Sequence, residues 1–207
     1  MRCLMSWGVL LLISLAMGCS SMILPEAEPP TFYQLQYSTE PMACDQTFNG
    51  SLLIWGFGTA APYNRTQIVV TAANGTVRFS RKHQWVALPG ALIAQMLKRD
   101  LSRGNLFPMV VTDQLNVETA YELNGRLLTF GAEKTASGWT AELTAEVSLS
   151  SKGQERLLFQ ELYVLHSEPF TQTDPMRFVQ AMNRLAAKLS RRLRQDLCCM
   201  ATDSPSS

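Results

Sequence analysis

Apolar and polar side chains alternate strictly in Trp139-Thr140-Ala141-Glu142-Leu143-Thr144-Ala145-Glu146-Val147-Ser148-Leu149. Successive side chains of a β-strand point to opposite faces, so the pattern predicts a long strand with one buried and one solvated face. Glu142 and Glu146 fall on the polar face, separated by a threonine. We interpret them as part of a solvated stripe rather than as a pair of catalytic carboxylates.

Further strands are predicted on both sides of this stretch. Residues 121–130 precede it across a loop at 134–138, and residues 157–165 follow it across the polar turn 150–153. Asn124-Gly125 is interpreted as a bulge in the preceding strand. If the domain oligomerises, strand 157–165 is a candidate for the contact, because an unpaired edge offers free backbone groups.

The rest of the predicted domain consists of shorter strands and two helices. The strands are expected at residues 32–37, 51–57, 67–71, 76–79 and 108–112, with Asn74-Gly75 as a hairpin turn. Apolar residues at helical spacing predict a first helix over residues 91–102. Asp174-Pro175 is an N-cap followed by proline, which marks the start of a second helix. Residues 201–207 are expected to form a disordered tail.

The second helix has basic side chains beside its apolar face. Those of its C-terminal half are Arg184, Lys188, Arg191, Arg192 and Arg194. They either face anionic lipid or a partner, or they form an ordinary solvated surface. We favour the solvated surface.

Composition limits the classes of function. The chain has 207 residues, of which 46% are hydrophobic and 17% charged, as in a globular protein of one domain. The formal net charge of +1 provides no general attraction for nucleic acid. The sequence contains neither G-x-S-x-G nor H-E-x-x-H, and its cysteines and histidines lack zinc-ligand spacing. We therefore predict a non-enzymatic protein without a metal or cofactor.

The N-terminus resembles a bacterial lipoprotein signal. An apolar run ends in Leu15-Ala16-Met17-Gly18-Cys19, which matches a lipobox. We predict that residues 1–18 are removed, that Cys19 is acylated with palmitate-type chains, and that residues 19–31 form a stiff tether. An ordinary cleaved signal is the alternative. Ser20, rather than aspartate, follows the cysteine and favours the periplasmic face of the outer membrane of a Gram-negative bacterium.

Three cysteines remain after the predicted anchor, at Cys44, Cys198 and Cys199. The oxidising cell envelope permits a disulfide between Cys44 and one of the terminal pair. Such a bond links an early loop to the end of the last helix. The sequence leaves the choice between Cys198 and Cys199 open.

Two residues before the first helix have competing interpretations. His83 is either a ligand or base, or a loop histidine that forms local hydrogen bonds, and we favour the second. Trp85 either stacks on a ligand or fills the core. An aromatic side chain just before a helix is more often a core residue, so we favour the core.

The order of elements resembles the ABC-type transport auxiliary lipoprotein family, the PqiC type of intermembrane transport lipoprotein. Residues 61–69, Ala-Pro-Tyr-Asn-Arg-Thr-Gln-Ile-Val, are similar to the family segment that ends in a Gln-Ile-Val strand. Residues 83–88, His-Gln-Trp-Val-Ala-Leu, are similar to the family's His-x-Trp-Ala-Glu-Pro-Leu patch. Ala87 replaces the acidic residue of that patch.

The resemblance implies a single α/β (α+β) domain over residues 32–200. Its mixed, antiparallel-rich sheet would pack against two main helices, as in the N-terminal domain of TolB. It also implies that Gln67, His83 and Trp85 contact a partner or ligand. The implied partners are an MCE-domain protein, subunits of an ABC transporter, phospholipid and further copies of the chain in a ring.

The function implied by this resemblance is non-enzymatic. The protein would be an outer-membrane lipoprotein that docks to or extends the periplasmic MCE channel in intermembrane phospholipid transport. The alternative left open is a lipoprotein that regulates or assembles another envelope machine, as a peptidoglycan synthase activator or a secretion component does.

Overall fold

A computed structural model describes residues 28–112, 118–153, 156–170 and 174–203. In these residues, nine strands form one mixed sheet that packs with two long helices, which confirms the predicted single α+β domain. The helices are α1 (Pro89–Ser102) and α2 (Pro175–Asp203). The strands are β1 (Thr31–Tyr33), β2 (Leu52–Ile54), β3 (Gly58–Thr59), β4 (Gln67–Thr71), β5 (Val77–Trp85), β6 (Val110–Val111), β7 (Tyr121–Thr135), β8 (Gly138–Ser151) and β9 (Arg156–His166).

Strand β7 is the centre of the sheet. One of its edges pairs with β8 in antiparallel fashion along its whole length. Its other edge meets β2, β3 and β4 in turn, all parallel to it. Beyond these neighbours, β5 and then β1 extend the sheet past β4, β6 lies beside β2, and β9 lies beside β8.

The core confirms the alternating pattern of β8. Five of its apolar side chains are fully buried, whereas Trp139 is half-buried, and α2 packs against this strand and β9. The five buried side chains are Ala141, Leu143, Ala145, Val147 and Leu149. Each buried leucine or valine contributes about 2 kcal/mol to folding. The intervening Glu142 and Glu146 accept hydrogen bonds from Thr144 and Gln160 on the polar side.

Strands β1 and β5 differ from the prediction. Strand β1 ends at Tyr33 rather than at residue 37, because the chain then leaves the sheet and runs beside α2, where Gln36 N donates to Asn183 Oδ1 over 2.9 Å. Strand β5 does not end at Phe79 but continues to Trp85, since β1 pairs with its last three residues. His83 therefore lies in a strand and not in a loop.

The predicted bulge at Asn124-Gly125 is wrong. Gly125 pairs regularly with Val147, and the register shift lies between Leu127 and Thr129. A Cβ atom at Gly125 would lie 2.1 Å from the ring of Phe57. Glycine is needed there because the ring packs directly against the backbone of β7. Strand β7 also continues to Thr135, so Lys134, predicted as the first residue of the loop 134–138, belongs to the strand.

The start of α2 confirms the predicted cap. Asp174 Oδ1 accepts a hydrogen bond of 2.9 Å from Met176 N, and Pro175 is the first helical residue. The helix continues to Asp203, so residues 201–203 do not belong to a disordered tail. Residues 204–207 lie outside the described residues.

The predicted signal at residues 1–18, the acylated Cys19 and the tether up to residue 27 also lie outside the described residues. Across the part of the chain that the structure describes, no helix combines the length and apolar character needed to cross a membrane.

Candidate functional site

The three residues expected to contact a partner do not share one face of the sheet. Gln67 pairs with Gln84 across β4 and β5. His83 and Trp85 flank Gln84 in the same strand, so their side chains point to the opposite face of the sheet. Gln67 and His83 therefore do not form one site.

Trp85 belongs to the core. Only 1% of its surface is exposed, and its ring packs at 5.3 Å from that of Phe130 and 6.0 Å from that of Phe178. A side chain so enclosed has no surface to offer a partner. The structure thus favours the packing role over the expected contact.

His83 is held by neighbours in space and in sequence. Its Nδ1 lies 3.1 Å from Tyr33 Oη on β1, and its backbone N donates to Ser80 Oγ over 3.0 Å. The imidazole is half-buried. These bonds support the interpretation of His83 as a histidine with local hydrogen bonds. They do not support a catalytic base, since the partner of the imidazole ring is a tyrosine.

An apolar cavity of about 150 Å³ opens beside His83, at the N-terminal end of α2. Its apolar wall is formed by β4, β7, β8, α2 and Phe170, which lies after β9. The wall residues are Ile68, Val70, Ala132, Trp139, Phe170 and Phe178. Ser80, His83 and Asp174 supply the polar part of the lining. A cavity of this volume suits one small apolar group, since a buried cavity of similar size holds benzene.

Two of these wall residues were not predicted to line a site. Trp139 and Phe170 exchange backbone hydrogen bonds of 2.8 Å, which brings the segment after β9 against the start of β8. The signal in the sequence was a tryptophan at the end of an amphipathic strand. Its partner could not be identified because strands β8 and β9 separate Trp139 from Phe170 along the chain.

A buried carboxylate on α1 was also missed. Asp100 accepts four hydrogen bonds of 2.7 to 3.0 Å, from Ser190 Oγ, Arg99 Nε, Tyr37 Oη and Thr39 Oγ1. Burial by itself raises the pKa of this carboxyl, but the hydrogen bonds from Arg99, Ser190, Tyr37 and Thr39 outweigh it and hold the pKa below its usual value. The sequence signal that could have identified it is its helical spacing with Ile93 and Leu97, which puts Asp100 on the apolar face of α1.

Among the described cysteines, the structure contains a disulfide. It joins Cys44 to Cys198, whose Cα atoms are 5.6 Å apart, and leaves Cys199 outside the pair. Within the described ranges, no three His, Cys, Asp or Glu side chains are grouped as ligands of a metal ion.

Solved structures share this fold. A protein from Xanthomonas campestris is 14% identical, with a TM-score of 0.72 over 84% of this chain and 98% of its own. A hypothetical protein from Chlamydia trachomatis is 7% identical, with a TM-score of 0.54 over 76% of this chain and 100% of its own. At these identities the likeness concerns the fold alone. A comparison with curated protein sequences gives no match.

A family model, described as the ABC-type transport auxiliary lipoprotein component, matches residues 33–193. The match begins in β1, ends in α2 and spans every element between them. The chain therefore belongs to the ABC-type transport auxiliary lipoprotein family.

Proposed function

We propose that this protein is a non-enzymatic lipoprotein of the outer membrane, acting in an MCE-type system that moves phospholipid between the two membranes. It docks to or extends the periplasmic MCE channel, and copies of it form a ring. The observation that carries the proposal is the family match over residues 33–193. A lipoprotein family with an auxiliary role in transport fits a protein that holds a channel in place.

The geometry beside His83 supports docking rather than catalysis. His83 faces Tyr33, and the adjoining cavity is mainly apolar. An apolar side chain of a partner, or the end of an acyl chain, fits such a cavity. His83 remains our candidate for this contact, and Gln67 is our candidate for a separate contact on the other face.

The anchor is tested with the Cys19→Ser variant. We expect the wild-type protein to incorporate a palmitate analogue and to fractionate with the outer membrane, and the variant to do neither. Cys199→Ser is the matched control, because it also removes one thiol but leaves the lipobox intact. Equal fractionation of the wild type and Cys19→Ser would refute the anchor.

The transport role is tested by capturing the tagged full-length protein from its own envelope in mild detergent, with proteins and lipids identified by mass spectrometry. We expect an MCE-domain protein together with phospholipid. Val70→Phe, which fills the cavity beside His83, should reduce this capture, whereas Val86→Phe at an exposed position should not. Capture of a peptidoglycan synthase or a secretion protein without lipid would overturn the proposal in favour of a regulatory role.

A further inference from the structure

A second cavity lies between α2 and the segment that leaves β1. We name residues 36–44 the connecting segment. It runs parallel to α2 and is attached to that helix at three points. Two are hydrogen bonds, from Gln36 to Asn183 and from Arg194 to Glu40, and the third is the Cys44–Cys198 disulfide. The cavity measures about 350 Å³ and lies between residues 38–42 of this segment and the C-terminal half of α2.

The wall of this cavity contains a buried cation. Arg194 is 6% exposed, and its Nη1 donates to the carbonyl oxygen of Glu40 over 3.1 Å. Its Nε is buried and has no hydrogen-bond partner among the described residues. No carboxylate of those residues lies within 4.0 Å of its guanidinium. A buried charge without a counter-charge is costly, so this arrangement favours an anion beside it.

A second cation lines the same cavity. Arg191 is exposed, one turn before Arg194 on the face of α2 that borders the connecting segment. Glu40 is the acidic residue of the lining, and its side chain is exposed. Two carboxylates on the packed helices have partners outside the cavity lining, Asp100 with Arg99 and Asp196 with Tyr163. The lining of the cavity therefore carries two positive charges and one negative charge.

We propose that this cavity binds a phosphate group, held by Arg194 from the wall and by Arg191 from the rim. Guanidinium groups bind phosphate oxygens through paired, charge-assisted hydrogen bonds. Ser38 and Gln195 also line the cavity and supply neutral donors. The group belongs either to a lipid headgroup or to a free phosphate. The inference goes beyond the proposed transport role and does not depend on it, because it rests on this charge and this cavity.

The test is a calorimetric titration of the full-length protein in non-ionic detergent with inorganic phosphate, at an ionic strength held constant with sodium chloride. We expect the wild type to bind phosphate, and Arg191→Gln to bind it about tenfold or more weakly, because one charged partner is lost. Arg184→Gln is the matched control. Arg184 is exposed on the same helix but does not line the cavity, so its loss should leave affinity unchanged.

A second titration, with a phosphatidylglycerol of short acyl chains, identifies the source of the phosphate. Binding of this lipid alone, lost in Arg191→Gln, assigns the site to a headgroup, and binding of inorganic phosphate assigns it to the free ion. Arg194→Lys keeps the charge without the paired donors and should also bind more weakly. If that variant does not fold, Arg191→Gln alone decides. No binding of either probe, or equal binding by the wild type and Arg191→Gln, would overturn the proposal.

Discussion

Asp100 shows how a single buried residue joins three parts of the chain. Its carboxylate is fully buried on α1, yet it accepts hydrogen bonds from Ser190 on α2 and from Tyr37 and Thr39 of the connecting segment. The adjacent Arg99 supplies the opposite charge over 2.8 Å. Removing the carboxylate would leave these donors unpaired, which costs more than the loss of any one bond.

We predict that Asp100→Asn lowers the free energy of unfolding by about 3 kcal/mol at neutral pH, the cost of breaking a buried ion pair. The pKa of Asp100 is depressed in the folded state, so its contribution is present above the unfolded-state pKa of about 3.9 and is lost as pH falls through the folded-state pKa. The difference between wild type and variant should therefore shrink on acidification.

Urea unfolding at neutral pH and near pH 3 measures this difference. Asp45→Asn is the matched control, since Asp45 is an exposed acid, and it should change stability by no more than about 0.5 kcal/mol. An Asp100→Asn effect as small as that of the control, or one that does not change with pH, would contradict the assigned network.

The connecting segment depends on the Cys44–Cys198 disulfide for its last attachment to α2. The bond joins residues 154 positions apart and so closes most of the described chain into one loop. Cross-linking across so long a loop restricts the unfolded chain strongly.

We predict that the double variant Cys44→Ala, Cys198→Ala loses about 2 to 5 kcal/mol of unfolding free energy. A reducing agent should bring the wild type close to the double variant and leave the variant unchanged. Thiol alkylation followed by intact-mass measurement reports the bond itself. Cys199→Ala should retain the bond, and its loss in that variant would show that Cys199 is the partner of Cys44.

The elements that could be predicted from the sequence are those with local signals. The alternation from Trp139 to Leu149 identified β8 and its buried face, and Asp174-Pro175 identified the start of α2. The end of β5 was missed because Arg81 and Lys82 resemble a loop, whereas the strand continues through them to residues 83–85, which pair with β1. Gly125 was misinterpreted since its role depends on Phe57, which is remote in sequence.

The candidate sites were less predictable than the fold for the same reason. The cavity beside His83 needs Phe170 to meet Trp139, and the cavity beside Arg194 needs the connecting segment to lie along α2. Neither contact has a local signal. The helical spacing did place Arg191 and Arg194 near each other, but their difference in burial depends on the segment packed against them.

The edge strands β1 and β9 of the sheet differ in length. Strand β1 is a short edge of three residues, whereas β9 is an edge of 11 residues. Among the described strands, β9 pairs only with β8, so its other side carries unpaired backbone groups. Leu162 and Val164 are 51% and 49% exposed along this edge. A long apolar edge is a ready template for another chain.

We predict that β9 forms the contact between copies in the proposed ring. Pairing of β9 with β9 would be self-complementary and would stop at a dimer, so a ring requires β9 to meet a different surface of the next copy. The double variant Leu162→Lys, Val164→Lys places charge on this edge and should convert the assembly of the full-length protein in detergent to monomers, as measured by analytical ultracentrifugation.

Val86→Lys, Leu88→Lys is the matched control, because both residues are exposed apolar side chains away from β9. A wild type that sediments as a monomer would exclude the ring, a wild-type dimer would indicate pairing of like edges, and a β9 variant that keeps the wild-type assembly would place the contact on another surface.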